Sequence, residues 1–480
     1  MTAGSRQSGP LRPLPLNYFF LVLLPALAIL LVLHVGSDLR PAPTLELQPP
    51  SSGGPAPGAA TPQIGLVLLQ LLVVLVATRA CGLAVRPLGQ PHVVGEMLAG
   101  ILLGPSFLGL LAPTLAAHLF PASSLGILSV LSQVGMVLYM FLIGMELDYA
   151  ALQAGRHTAV LTSHVSIVVP FTLGVTLSLA LYRRFAPPGI PFTAFALFQG
   201  AAMSVTAFPV LARILAERGM LRTPLGTLAT SAAAVDDVTA WTILAGIMVI
   251  VRAAGAETSL WRPLVGLALF VGTVLLVGKP LRRAVASAFE RRGRLTHGLV
   301  AILVAVGLAG ACVTEAAGVH ALFGAFFVGL MLSRERRVTE AARQRLEAPL
   351  VVILLPLYFA FTGLRTRLGL LFEDHSWGWA LVILAVAVAG KLGGSALAAR
   401  VSGVAWREAL ALGTLMNTRG LMELVILNIG LDLGVLSPAL YSMMVLMAFA
   451  TTLMTSPLLS GLGVTRVTVP PPLACARTGE

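Results

Sequence analysis

The stretch SAAAVDDVTAW at 231–241 places two adjacent aspartates, Asp236 and Asp237, within a run of small and apolar residues. Carboxylate oxygens can bind a hard alkali cation or a proton. Burial raises the pKa of a carboxyl group and a nearby cation lowers it, so such a group can be tuned to exchange protons near neutral pH. Neighbours on a helix point about 100° apart. We therefore expect one aspartate to hold an ion while the other meets a positive countercharge.

The composition indicates the surroundings of this pair. Hydrophobic residues make up 57% of the 480 residues and charged residues 11%, whereas a soluble protein carries about 25% charged residues. Apolar runs of roughly 18 to 25 residues, the length that crosses a hydrocarbon layer, recur along the chain. Backbone groups in lipid must be bonded internally, and no alternating pattern of a barrel is present. The sequence therefore predicts an all-α polytopic membrane protein.

We predict about fourteen spans, near 17–34, 63–84, 91–110, 124–145, 157–182, 191–214, 224–251, 261–281, 295–314, 318–333, 348–364, 377–399, 406–431 and 437–462. The first is expected to be a retained anchor, because its apolar stretch exceeds that of a signal peptide and no clear cleavage site follows. The Pro-rich residues 35–62 read as an extended linker. The predicted organisation is an N-terminal segment 1–62, a transmembrane domain 63–462 and a short cytoplasmic tail 463–480.

Basic residues indicate the orientation. If the N-terminus is cytoplasmic and every span crosses, most arginines fall in cytoplasmic loops, including the region 334–345, and few fall in the opposite loops. Both termini are then cytoplasmic, and a multi-pass location in the cell (inner) membrane is expected. The net charge of +12 is explained by loops that face anionic lipid headgroups, so nucleic acid is not needed as a partner.

Other chemistries find little support. Cys81, Cys312 and Cys475 are scattered and form no CxxC pair. No phosphate-binding loop, HExxH or GxSxG motif is present, so neither a cofactor nor ATP-driven transport is predicted. An intramembrane aspartyl protease would need aspartates that face each other from two helices, and these are adjacent. We do not expect an enzyme.

Lys391 is the candidate countercharge for the aspartates. A charge at bilayer depth costs roughly 2.5 to 3.5 kcal/mol even on lenient insertion scales, so buried charged residues usually serve a function. The chain has only two lysines, and Lys391 lies deep in the span 377–399. A buried lysine, unlike arginine, can take part in proton exchange. We expect Asp236 or Asp237 to pair with it.

Two spans are interrupted by polar residues. In SVTAFPV, Pro209 removes a backbone donor just after Ser204 and Thr206, so free carbonyls and hydroxyls would be offered to a cation. In NTRGLME, the sequence from Asn417 to Gly420 interrupts an apolar run in the same way. Each interrupted span is the middle one of a triplet, 157–251 or 377–462. Matched interruptions indicate a secondary transporter with an inverted repeat.

Arg419 and Glu423 stand four apart on one helix face, which is the spacing of an ion pair. Because they flank the interruption, we interpret the pair as structural, holding the broken helices where they cross. Asn417 belongs to the same polar break.

Six motifs together resemble a known family. These are QPHVVGEMLAGILLGPSFLG, MFLIGMELD, SVTAFPVLARIL, SAAAVDDVTAW, GVHALFGAFFVGLMLSRE and NTRGLMELVILNIG, in this order between about 63 and 462. The chain resembles the monovalent cation:proton antiporter-2 family, closest to plant cation/proton exchangers and their bacterial relatives. The first aspartate of the pair, Asp236, is Asn in many plant relatives, which favours the bacterial sodium or potassium antiporters.

The resemblance implies the sodium/proton antiporter fold, with inverted repeats, two crossing discontinuous helices, and core and dimerisation domains in a homodimer. An extra N-terminal span would precede thirteen family helices. By position, Asp237 resembles the aspartate that carries the cation and the proton in turn. Asp236 resembles the residue that pairs with Lys391, and Thr206 matches the unwound stretch facing the carboxylates.

The predicted function is exchange of a monovalent cation, Na⁺ or K⁺, for protons by alternating access. Two alternatives stay open: a cation channel, which would carry current without proton flux, and a secondary transporter of organic anions on a similar fold. The residues do not decide between sodium and potassium, nor the stoichiometry.

Overall fold

The computed structural model describes residues 17–41, 64–146, 157–221, 223–254, 261–317, 319–372 and 376–464. The helices are α1 (Leu24–Gly36), α2 (Ile64–Val85), α3 (His92–Leu103), α4 (Ala122–Glu146), α5 (His157–Phe185), α6 (Phe192–Ser204), α7 (Phe208–Glu217), α8 (Pro224–Ala254), α9 (Trp261–Arg292), α10 (His297–Ala316), α11 (Ala321–Leu332), α12 (Arg336–Pro349), α13 (Leu355–Arg365), α14 (Ser376–Val388), α15 (Gly394–Val401), α16 (Trp406–Met416), α17 (Leu421–Asp432) and α18 (Pro438–Gly461). Short helices Leu108–Leu111 and Pro113–Leu119 follow α3. One-turn π-helices lead into α1 and α13 and join α14 to α15.

Eleven helical segments in the described ranges are long and apolar enough to cross a membrane, and the bent pair of α16 and α17 makes a twelfth. Helix α11 is shorter but apolar. Each predicted span overlaps a helix, so the prediction of an all-helical membrane protein is confirmed. Of the predicted termini, residues 1–16 and 465–480, with Cys475, lie outside the described residues, as does most of the linker, 42–63.

Two helices extend beyond what hydropathy indicates. The span predicted to end at 281 belongs to a helix that continues to Arg292, through basic residues. The region 334–345, treated as a basic loop, holds the amphipathic helix α12, which buries Val338 and Ala342. Long charged side chains favour helices as strongly as apolar ones do. An apolar run therefore predicts the part of a helix that suits a lipid environment, and the helix itself can be longer.

The helices pack as two bundles. Helices α2–α4 and α9–α13, the flanking bundle, contact mainly one another, and α5–α8 and α14–α18, the crossing bundle, do the same. The bundles meet where α3 contacts α18 and where α13 contacts α17. A third contact is formed by Trp241 of α8, whose ring packs edge-on against Phe323 of α11 at 5.1 Å. Contact between the bundles is therefore sparse compared with the packing inside each.

The crossing bundle contains two helices that break in mid-span. Helix α6 ends at Ser204, the chain is extended at Val205, and α7 begins at Phe208. Pro209 in the first turn of α7 lacks the N–H that a continuous helix would need, so the break falls where the sequence predicts it. The second break separates α16 from α17 by an angle of 42°.

The two breaks contact each other directly. The amide of Ala207 donates to the carbonyl of Thr418 at 3.0 Å, so the unwound segments cross. Gly420, the residue just before α17, has a φ of 150°, a backbone conformation that favours glycine. The glycine in NTRG is therefore a requirement of the crossing. The crossing of two discontinuous helices, expected from the resemblance, is present.

Candidate functional site

Asp236 has a positive partner and three hydroxyl donors. Ser163 donates to Oδ1 at 2.6 Å, while Ser166 and Thr206 donate to Oδ2 at 2.6 and 2.8 Å. Lys391 Nζ lies 3.0 Å from the same Oδ2. Neither side chain of this ion pair is exposed. Buried ion pairs persist when additional hydrogen bonds satisfy their remaining atoms, and Asp236 meets that condition.

Lys391 uses all three of its donors. Besides Asp236, its ammonium binds the carbonyl of Ser166 at 2.8 Å and that of Ser204, the last residue of α6. It lies in the π-helical turn Ala389–Gly393. Such one-turn bulges are frequent at functional sites. Lys391 thus links α5, the break after α6 and α8 at one point.

Asp237 has quite different surroundings. Its side chain is 1% exposed, and neither carboxylate oxygen accepts a hydrogen bond from the described residues. Phe208, the first residue of α7, lies beside it, as do Asp236 and Lys391. A helix N-terminus favours a negative charge. Asp237 is therefore a buried acid beside the break, with its oxygens uncommitted.

Arg419 joins the second break to the first. It donates to Glu423 Oε1 at 3.0 Å and to the carbonyls of Ala202 and Met203 at 3.1 and 2.6 Å. These carbonyls lie at the C-terminal end of α6, where a cation is favourable. Thr452 of α18 donates to the Arg419 carbonyl at 2.6 Å. The pair of Arg419 with Glu423 is buried and binds the end of one broken helix to the other.

Thr206 and Ser204 bind partners other than Asp237. Thr206 donates to Asp236 and not to Asp237. The Ser204 hydroxyl bonds back to the carbonyl of Ala201 in its own helix at 2.8 Å, so only its carbonyl takes part, as an acceptor for Lys391. Serine in a last helical turn commonly bonds a preceding carbonyl. Side-chain polarity alone did not reveal which group of Ser204 faces the site.

Asn417 lies at the second break without contacting the carboxylates in the described structure. Its Nδ2 is 3.9 Å from the sulfur of Met454, and its Oδ1 has no partner among the described residues. The neighbouring Thr418 shares a hydrogen bond with Thr455 at 3.3 Å. Asn417 therefore faces α18.

Ser163 and Ser166 were not predicted from the sequence as site residues. Both lie on α5 and bind Asp236. The signal was the run TSHVS at 162–166, where three hydroxyl residues fall within two turns of an otherwise apolar span. Serine in a helix often bonds its own backbone, so the run did not by itself indicate a site.

A family model described as the transmembrane sodium/hydrogen exchanger matches residues 71–461. The chain belongs to the sodium/hydrogen exchanger family. This family consists of transporters, and the chain is a multi-pass membrane protein. The assignment of the chain to this family agrees with its resemblance to cation:proton antiporters.

The chain is 41% identical over 394 residues to the Na⁺/H⁺ antiporter NhaS4 of Synechocystis sp., covering 82% of this chain and 96% of that protein. It is 39% identical to cation/H⁺ antiporter 18 of Arabidopsis thaliana and 31% identical to K⁺/H⁺ antiporter 1 of Saccharomyces cerevisiae, over 82% of this chain. The chain spans about half the length of these plant and yeast relatives, 48% and 45% respectively.

The chain has the fold of the sodium/proton antiporter MjNhaP1 from Methanocaldococcus jannaschii. That structure superposes with a TM-score of 0.58 at 15% identity, covering 85% of this chain and 100% of the other. The predicted fold class is confirmed.

Proposed function

We propose that this protein exchanges a monovalent cation, Na⁺ or K⁺, for protons by alternating access, and that Asp237 binds the two in turn. The observation that carries the assignment to Asp237 is its buried carboxyl group without a hydrogen bond from the described residues, beside the crossing of two broken helices. Membership of the exchanger family and the names of the relatives support the reaction.

Competition at one carboxylate couples the two fluxes. Ionised Asp237 binds a cation with help from the unwound segments, and protonated Asp237 is neutral and releases it. A single carboxyl group cannot hold a proton and a cation well together, so each crossing of the site carries one or the other. The N-terminus of α7, at Phe208, lies beside Asp237, and a helix N-terminus attracts negative charge.

Asp236 and Lys391 have a supporting role in this proposal. Both are already bonded to each other and to the hydroxyls and carbonyls around them. The pair holds α8 against the π-helical turn and the end of α6, and so keeps Asp237 beside the break. Ser204, Thr206, Arg419 and Glu423 belong to the same support, since they fix the ends of the broken helices.

We further propose a homodimer in the cell membrane with both termini cytoplasmic. The distribution of basic residues supports the orientation. Apolar side chains exposed on α2 and α9, such as Leu72 at 57% and Leu276 at 79%, provide surfaces for lipid or a second copy.

The test is exchange in proteoliposomes that contain a trapped pH dye. Addition of Na⁺ or K⁺ collapses a preset proton gradient in the parent protein, and Asp237→Asn abolishes the response. Asp38→Asn, the same change at an exposed aspartate after α1, serves as the matched control and leaves exchange intact. Unchanged proton flux in Asp237→Asn contradicts the assignment of this residue. Cation currents without proton flux would establish a channel, and movement of an organic anion would establish the other alternative.

A further inference from the structure

A second polar network joins α13 to α17 and α18, away from the two aspartates. We propose that this network is a latch between the flanking and the crossing bundle, which must open whenever the Asp237 site moves between its two orientations. The latch consists of Tyr358, Thr362, Arg365, Asn428, Asp432 and Tyr441. The inference rests on the alternating access proposed above and adds a device that controls it.

Arg365 and Asn428 form the centre of the latch. Arg365, at the end of α13, donates from Nη1 to Asn428 Oδ1 at 3.1 Å and from Nη2 to Asp432 Oδ1 at 2.5 Å. The amide nitrogen of Asn428 donates to Tyr358 Oη at 3.1 Å and to Thr362 Oγ1 at 2.9 Å. A side chain on α17 is thereby bonded to three side chains on α13.

Tyr441 adds the contribution of α18. Its hydroxyl lies 3.2 Å from Asn428 Oδ1 and 3.3 Å from the carbonyl of Thr362, so its one proton can serve either acceptor. Close by, the amide of Arg367 donates to the Ser442 hydroxyl at 2.9 Å, where the chain passes from one bundle to the other.

The network lies between the two bundles, and this position distinguishes a latch from a contact that only stabilises the fold. Contact between the bundles is sparse, and α13 against α17 is one of the few places where they meet. Any movement of one bundle along the other must separate these two helices. Specific hydrogen bonds can break and re-form during such a step, whereas interlocked apolar packing resists it.

The partial exposure of the ion pair also allows this contact to open. Asn428 is buried, but the Asp432 side chain is 46% exposed and that of Arg365 is 22% exposed. Water can therefore solvate the two charges as they part. Partly exposed ion pairs contribute little to stability, so this contact can set the preference between two orientations without locking one of them.

A cavity of about 330 Å³ lies beside the latch, between α4, α11, α13 and α17. Arg365, Asn428 and Asp432 line it together with Met136 and Val425. Val425 comes five residues after Gly420, so the cavity wall reaches within about 7.5 Å, measured along α17, of the crossing. Opening of the latch would change access to this space.

The test is cysteine accessibility in a background where Cys81, Cys312 and Cys475 are serine and exchange is retained. Val425→Cys reports on the cavity, and Ile426→Cys, buried on the same helix but not lining the cavity, is the matched control. Arg365→Gln is expected to raise the rate at which a membrane-impermeant maleimide labels Val425→Cys by about fivefold, the change that a partly exposed ion pair supports. Labelling of Ile426→Cys should stay low.

Asp432→Asn should raise the labelling rate by no more than Arg365→Gln does, because Arg365→Gln also removes the hydrogen bond to Asn428. The double variant should match Arg365→Gln, because the contact between Arg365 and Asp432 is already lost in both single variants. Labelling is repeated with Asp237→Asn, where no exchange is expected, so that its outcome does not depend on transport by Asp237. If Arg365→Gln leaves both labelling and the exchange rate at parental values, the latch is refuted while the role of Asp237 stands. Additive effects with parallel losses of thermal stability would also refute it, since they indicate a structural brace.

Discussion

Removal of the Lys391 ammonium is the perturbation whose consequence the structure defines best. Lys391→Met keeps a side chain of similar length, so little cavity is created. It removes three hydrogen bonds, to Asp236 Oδ2 and to the carbonyls of Ser166 and Ser204. Asp236 is left as a buried carboxylate without a cation.

Breaking a buried ion pair by removing one partner costs about 3 to 5 kcal/mol. Asp236 keeps its hydroxyl donors from Ser163, Ser166 and Thr206, and each such bond contributes about 1 kcal/mol or more. The loss should therefore fall at the lower end, about 3 kcal/mol. Cation-driven proton flux should persist at a reduced rate, because Asp237 is unchanged.

The assay is thermal unfolding of the purified protein in detergent, with Asp236→Asn and the double variant alongside. Each single change leaves one buried charge unpaired, so each should lower the midpoint. The double variant removes both charges and should recover most of the loss. A Lys391→Met midpoint equal to that of the parent, or a double variant with the sum of the single losses, would refute the coupling of these two groups.

Three further changes test other parts of the site. Ser166→Ala should destabilise the protein by about 1.5 to 3 kcal/mol, because it removes a hydrogen bond to a charged group. Ser395→Ala, the control, should be neutral or stabilising, because the Ser395 hydroxyl has no partner among the described residues. Equal unfolding midpoints for the two variants would contradict this. Arg419→Leu should lower the stability by about 3 kcal/mol or more, because it leaves Glu423 unpaired. Addition of Glu423→Leu should recover part of this loss. A further fall in the unfolding midpoint would argue against an ion pair between Arg419 and Glu423. Gly363→Val should reduce the yield of monodisperse protein in size-exclusion chromatography, because a Cβ atom at this position meets the backbone of the facing helix α3. An elution profile equal to that of the parent would show that this close approach is not required.

The sequence was most informative where a residue was out of place in its surroundings. Two aspartates and one lysine within apolar spans indicated charges that needed partners, and in the structure Asp236 and Lys391 are in contact. Pro209 and the NTRG stretch indicated broken helices, and the breaks cross as expected. In each case a large free-energy penalty in lipid made the residue stand out.

What the sequence did not reveal depends on rotation about helix axes and on local backbone geometry. Ser163 and Ser166 bind Asp236, but serines that bond their own helix have the same spacing. Asp236 and Asp237 are chemically identical in the sequence, and only the packing of α5 and of the π-helical turn with Lys391 against α8 decides which one is bonded. The residue types in the π-helical turn that carries Lys391 do not distinguish it from an ordinary turn of α-helix. Such details follow from tertiary contacts between segments far apart in the chain.

The pH dependence of cation binding to the purified protein shows directly whether a proton and a cation share Asp237. If a proton and a cation compete for Asp237, the dissociation constant for Na⁺ or K⁺ should rise by up to about tenfold for each unit by which the pH falls in the range where protons displace the ion. One proton should be released for each cation bound, and Asp237→Asn should show neither effect. A dissociation constant that is independent of pH, or binding without proton release, would contradict the account.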